Sequence, residues 1–188
     1  MKTKIITMMA VLLLLLASQL QAIDVDFYIN GVIESGDNYE VVNVWNEAIV
    51  DMSGGYLARL RTHDFSTINI YDGNVHQGIS SLHSSTVNIY GGILTLDYLD
   101  ILYSSMLNIY GGDLLVGNSP GFSESSTVNI YGYDFNYGSN RLTGFLSDGS
   151  PFIFNELPFD EYSRMNLIPE PVSVLLLSLG IIFLRKRK

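Results

Sequence analysis

The chain contains no cysteine. That excludes a disulfide framework, a thiolate metal site and a cysteine nucleophile. It does not exclude export, because stacked repeats bury a continuous core without cross-links. Positive charge is also scarce. Ten Lys and Arg stand against nineteen Asp and Glu, and six of the cations (Lys2, Lys4, Arg185, Lys186, Arg187 and Lys188) lie in the two end segments. Between residues 23 and 168 only Arg59, Arg61, Arg141 and Arg164 oppose eighteen acids, a net charge of −14. Such a body repels polyanions, which argues against nucleic-acid binding. It favours solubility, or cation-mediated association with an acidic matrix.

What is present begins at the ends. Met1-Lys2-Thr3-Lys4 is followed by an apolar run from Ile5 to Ala17 and then by Ser18-Gln19-Leu20-Gln21-Ala22. This is the pattern of a secretory signal peptide over 1–22, with the cut placed after Ala22. The alternative is an uncleaved anchor, for which the apolar run is short against the ~20 residues that span a bilayer. At the other end Pro169-Glu170-Pro171 precedes an apolar run from Val172 to Leu184 and the cations Arg185-Lys186-Arg187-Lys188. The prolines keep the motif extended. The apolar run reads as a membrane helix over 172–184, and the basic tail 185–188 stays cytoplasmic under the positive-inside bias. Both ends therefore send the body outward across the inner membrane.

The order motif, apolar helix, basic tail resembles the PEP-CTERM sorting signal, also labelled the ice-binding protein C-terminal domain. The resemblance covers 169–188. It implies that Pro169, Glu170 and Pro171 are the processing element read by an exosortase, after export by the Sec machinery and signal peptidase. It also implies a membrane-anchored intermediate, then a cell-surface or extracellular product linked to exopolysaccharide and biofilm. The alternative is a plain C-terminal anchor.

Between the ends lies an internal repeat. Ser66-Thr67-Ile68-Asn69-Ile70-Tyr71-Asp72-Gly73 is followed by Ser85-Thr86-Val87-Asn88-Ile89-Tyr90-Gly91-Gly92, Ser105-Met106-Leu107-Asn108-Ile109-Tyr110-Gly111-Gly112 and Ser126-Thr127-Val128-Asn129-Ile130-Tyr131-Gly132. Ala48 to Gly55 is a degenerate first copy with Asp51 in the Asn position, and the spacings are 18, 19, 20 and 21 residues. Each unit alternates apolar and polar residues and then meets glycine, which is a strand followed by a turn. A second apolar strand follows, as in Ile93-Leu94-Thr95-Leu96, and a polar corner such as His83-Ser84-Ser85 returns the chain. The expected fold is all-β: a short single-stranded right-handed parallel β-helix of about five coils, flanked by the signal peptide and the C-terminal membrane helix. The expected divisions are an N-terminal cap over 23–47, solenoid repeats over 48–140 and a C-terminal cap over 141–154. The cap is a hairpin around Asp148-Gly149. A linker over 155–168 leads to the sorting signal. The coils also resemble repeats in predicted bacterial β-helix surface proteins, a looser likeness that implies no activity.

Little in the repeats points to catalysis. His63, His76 and His83 do not share one ladder position, so no metal site is expected. Asp97 and Asp100 are the closest acidic pair within the coils and have no evident basic partner. Gly111-Gly112-Asp113 lacks the rest of a calcium-binding nonapeptide. No catalytic residue, cofactor or metal is expected, and a polysaccharide-active enzyme is the least favoured reading, resting on fold analogy. The outward columns are more informative. Thr67, Thr86 and Thr127 align, with Met106 interrupting. Asn69, Asn88, Asn108 and Asn129 form the next column, and Tyr71, Tyr90, Tyr110 and Tyr131 the third. They either stabilise the sheet or form a candidate glycan face. The expected function is a non-catalytic exported surface or matrix protein associated with exopolysaccharide. The alternative is a carbohydrate-binding module using that face.

Overall fold

The computed structural model describes residues 23–170. The expected signal peptide, Pro171, the membrane helix and the basic tail lie outside the described residues. In chain order the strands are β1 (Ile23–Phe27), β2 (Gly31–Ile33), β3 (Asn38–Val44), β4 (Ile49–Thr62), β5 (Thr67–Ser81), β6 (Thr86–Ile89), β7 (Ile93–Leu96) and β8 (Tyr98–Ile101). They continue with β9 (Met106–Ile109), β10 (Asp113–Val116), β11 (Gly121–Phe122), β12 (Thr127–Gly138), β13 (Arg141–Leu146) and β14 (Pro151–Phe154). The short helix α1 (Phe159–Tyr162) and β15 (Met165–Pro169) close the chain. The architecture is an all-β solenoid of stacked parallel coils.

Three ladders run along the stack. The first joins β2, β4, β5, β6, β9, β12 and β15, all in parallel. Its register aligns Ile33, Met52, Ile70, Ile89, Ile109 and Ile130, and each is fully buried. This is the period-2 pattern made physical: one side of each strand faces the core, so the register is held by every apolar residue at once. The second ladder aligns Leu57, Val75, Leu94, Leu114 and Phe152. The third aligns Val42, Leu60, Ile79 and Leu99, and pairs Ile101 with Phe122. Two strands per coil were expected, so the third ladder is a correction. The polar corner is confined to the short link that follows it.

Two kinds of turn close each coil. Between the first and second ladders, Gly36, Gly55, Gly73, Gly92 and Gly112 all have positive φ, from 84° to 109°. A Cβ on Gly112 would lie 2.9 Å from the backbone of Gly91 and Gly92 in the coil before, so both conformation and space select glycine. After the third ladder the corner uses a left-handed non-glycine residue: Asn46, Asp64, His83 or Tyr103. A buried serine follows two positions later at Ser66, Ser85 and Ser105. Ser85 and Ser105 each donate from Oγ to the carbonyl three residues back, at 2.7 Å. Their hydroxyls are therefore satisfied inside the core, as buried polar groups must be.

The ends depart from the expected divisions. Residues 23–47, expected as a cap, include a rung of the solenoid: β2 pairs β4, and Gly36 continues the glycine column. β13 and β14 form an antiparallel C-terminal hairpin. Its turn sits where the next coil would have been. Ser147 N–H donates to Tyr110 O at 3.0 Å, and the Asp148 carboxylate accepts from Gly112 N–H at 2.9 Å. Burial opposes ionisation of Asp148, but bonds from the Ser150 hydroxyl and from the Ser150 and Gly112 backbones outweigh it and hold the carboxyl below the usual range. Residues 155–168, expected as a linker, carry α1 and most of β15. The reason is that Met165 and Leu167 continue the apolar columns over Val128 and Ile130.

Candidate binding face

The outer side of the first ladder carries the columns read from the repeat. Thr67, Thr86, Met106 and Thr127 are in register, as are Asn69, Asn88, Asn108 and Asn129. The asparagines make one continuous hydrogen-bonded ladder. Nδ2 of Asn88 donates to Oδ1 of Asn69 at 2.8 Å, Asn108 to Asn88 at 2.8 Å and Asn129 to Asn108 at 2.7 Å. The chain of bonds extends past the four asparagine copies at both ends. Asn166 donates to Asn129 at 2.9 Å, and Asn69 donates to the Asp51 carboxylate at 2.8 Å. Every amide points its NH2 toward the earlier coil. The Asp51 position therefore needs only an acceptor, and a carboxylate supplies the stronger, charge-assisted one. The apparent degeneracy of the first copy is a terminus of the ladder.

The tyrosines stack. Tyr71 and Tyr90 have ring centroids 5.1 Å apart, Tyr90 and Tyr110 4.9 Å, and Tyr110 and Tyr131 4.3 Å, with interplanar angles of 15° or less. Burial, the Tyr131 hydroxyl and the neighbouring rings push the Tyr110 phenol up to about 12. Ring faces inside the stack are covered by their neighbours. What the column offers to solvent is edges and hydroxyls, most at Tyr71 (50% exposed) and Tyr90 (40% exposed). The asparagine amides are likewise turned toward one another. The face is a rigid, self-bonded surface more than a set of free groups.

A second aromatic column, not singled out by the sequence reading, follows the corner. Trp45 lies flat on His63 with centroids 3.8 Å apart and planes 8° from parallel, and Tyr28 stacks beyond Trp45 at 6.2 Å. His83 sits on the left-handed corner beside Asp64, with Nδ1 3.6 Å from the carboxylate. The His63 and His83 rings are 6.4 Å apart and tilted. Burial, followed by the neighbouring His83, pushes the His63 imidazole below its ordinary range, and its Nε2 is buried with no partner among the described residues. No three His, Asp or Glu converge as a metal site among the described residues. The Asp100 carboxyl is pushed up by burial. Neither it nor Asp97 is in an ion pair among the described residues.

The first two residues of the expected sorting motif pair with the solenoid. Pro169 ends β15 opposite Gly132, and Glu170 N–H donates to Gly132 O at 3.0 Å. Pro171 lies outside the described residues. No family model, curated protein or solved structure matches this chain.

Proposed function

We propose that this chain is an exported, non-catalytic surface or matrix protein. The Sec machinery and signal peptidase would remove 1–22. The C-terminal segment would hold the body at the inner membrane until an exosortase acts at Pro169-Glu170-Pro171. The body is then a right-handed solenoid associated with exopolysaccharide. The observation that carries this reading is the order of the C-terminal sequence: the motif at 169–171, an apolar run and four cations. Cleavage beyond Glu170 would leave every described rung in place. The acidic, self-bonded surface suits a matrix component that stays soluble and resists non-specific anionic contacts.

A second reading is a carbohydrate-binding module. The exposed edges of Tyr71 and Tyr90 favour it, since they present a row of hydroxyls beside the amide ladder. Fractionation of the producing cells tests the first reading. The protein is expected in the surface, matrix or medium fractions, and Pro169→Ala with Pro171→Ala should hold it in the membrane fraction. Absence of the unaltered protein from all three fractions would refute export to the surface.

A further inference from the structure

At the corner between the third and first ladders, near the N-terminal end of the stack, Tyr28, Asn30, Asn46, Glu47, Asp64 and Phe65 line an open groove of about 780 Å3. That volume lies in the range of small-molecule sites, roughly 300–1,000 Å3. Its construction follows from the coil geometry. Asn46 and Asp64 occupy the left-handed corner position in successive coils, with φ of 60° and 57°. Glu47 and Phe65 follow them directly and are exposed beyond the corner. Asn46 N–H donates to the Asp64 carboxylate at 3.2 Å, and Ile49 N–H donates to Asn30 Oδ1 at 2.8 Å, so the floor is pinned.

The aromatic residues here differ from the repeat column in one decisive respect. Phe65 is 69% exposed and has no ring partner among the described residues. Tyr28 is 57% exposed, and its stack on Trp45 covers only one face of the ring. Tyr28, Phe65 and the exposed Ile29 line the same groove, and a shared apolar patch of this kind, rather than any single exposed ring, points to an interaction site. The polar groups are free to match. The Glu47 carboxylate and the Asn46 amide make no side-chain hydrogen bond among the described residues, and Asn30 uses only its oxygen. Aromatic faces beside planar donors and acceptors fit a sugar, whose C–H face is apolar and whose hydroxyls both donate and accept. Two carboxylates in the lining disfavour uronic, sulfated or phosphorylated sugars.

We infer that this groove binds a neutral glycan, with a pyranose face on Phe65 or Tyr28 and its hydroxyls on Asn46 and Glu47. The inference rests on the carbohydrate reading above only for its class of ligand; its site is the corner groove in place of the Tyr71 and Tyr90 edges. Tyr90 and Tyr110 are covered on both ring faces and Tyr71 on one, and the asparagines bond one another, whereas Phe65 has no ring neighbour among the described residues and is more exposed, so the freer recognition chemistry lies at the groove.

The full chain, held in a non-glycosidic detergent, can be tested by pull-down on cellulose, chitin, mannan and alginate, followed by titration with soluble oligosaccharides of any polymer retained. Binding to at least one neutral polymer and none to alginate is expected. Phe65→Ala should weaken it by about tenfold or more, the loss typical of a central aromatic contact, and Glu47→Gln should weaken it less. Tyr71→Ala with Tyr90→Ala should leave it within about twofold. Phe65 is a surface residue, so its variant should keep the unaltered protein's circular dichroism and unfolding midpoint. Loss of binding in the Tyr71/Tyr90 variant with retention in Phe65→Ala would overturn the groove and leave the carbohydrate reading standing. Retention on alginate alone, or on no polymer, would overturn the groove, and binding to none would also remove the carbohydrate reading.

Discussion

The asparagine ladder has a direction, and that makes a sharp prediction. In Asn88→Asp the introduced carboxylate still accepts from Asn108 Nδ2 but no longer donates to Asn69 Oδ1. An acceptor then faces an acceptor inside a partly buried row. The lost bond is worth about 0.5–1.5 kcal/mol, and the unpaired, repelling oxygens add a similar amount, for a total of about 1–3 kcal/mol. For a protein of this size that is a fall in unfolding midpoint of roughly 2–12 °C. Asp51→Asn changes the same two residue types at the ladder terminus. There only an acceptor is needed, so the loss is limited to charge assistance and should stay under about 1 kcal/mol. The two variants also differ in pH response. Protonation lets the introduced carboxyl at position 88 donate to Asn69, so its pKa is raised in the folded state. The deficit of Asn88→Asp, measured against the unaltered protein at the same pH, should therefore shrink as pH falls through that raised pKa. Thermal or urea unfolding of both variants at neutral and acid pH reads all three quantities. Equal losses at positions 51 and 88, or a deficit at 88 that grows in acid, would refute the directional ladder.

Other consequences are equally open to measurement. The chain has a single tryptophan, so Trp45 emission reports directly on His63 stacked against it. The fold favours neutral His63, whose stabilising contribution is whole above the unfolded pKa of about 6.5 and is lost as pH falls through the lower folded value. An emission step with a midpoint below about 6.5, abolished in His63→Phe, is expected. A midpoint at or above that value would contradict the burial argument. Ile89→Ala empties a fully buried position on the first ladder and should cost about 2–5 kcal/mol, whereas Tyr90→Phe keeps the stack and should stay within about 0.5 kcal/mol by urea unfolding. Ending the chain after Arg164 removes β15 and the Met165 cover over Val128, and should lower stability by at least about 2 kcal/mol relative to a chain ended after Glu170.

The first ladder could be read from the sequence because one strand pattern, Ser-Thr-apolar-Asn-apolar-Tyr, recurs with a glycine turn behind it. Period-2 alternation then fixed which residues face inward. The third ladder carries no such signature. Val42, Leu60, Ile79 and Leu99 are all buried apolar residues, but their neighbours differ from coil to coil, so nothing marks them as one column. The rung at β2 was hidden because Val32 stands where Asn would be and no tyrosine follows. β15 does keep the asparagine, but Asn166 lies 37 residues after Asn129 where about twenty was the rule. The intervening hairpin occupies the place of a coil, and sequence spacing alone does not show that substitution. The Asn and Tyr columns were legible as positions, but their mutual bonding was not: hydrogen-bond direction and ring stacking are properties of the assembled stack. Phe65 and Tyr28 escaped notice because they belong to corners, where side chains follow no strand period.

The most direct test of the proposed route to the surface is mass spectrometry of the protein recovered from the surface and medium of its native cells, with both termini mapped. The account predicts a mature N-terminus near Ile23 and a C-terminus near Pro169-Glu170-Pro171, with Arg185 to Lys188 gone. An intact tail on protein found only in the membrane fraction would contradict it and make the chain a plainly anchored solenoid.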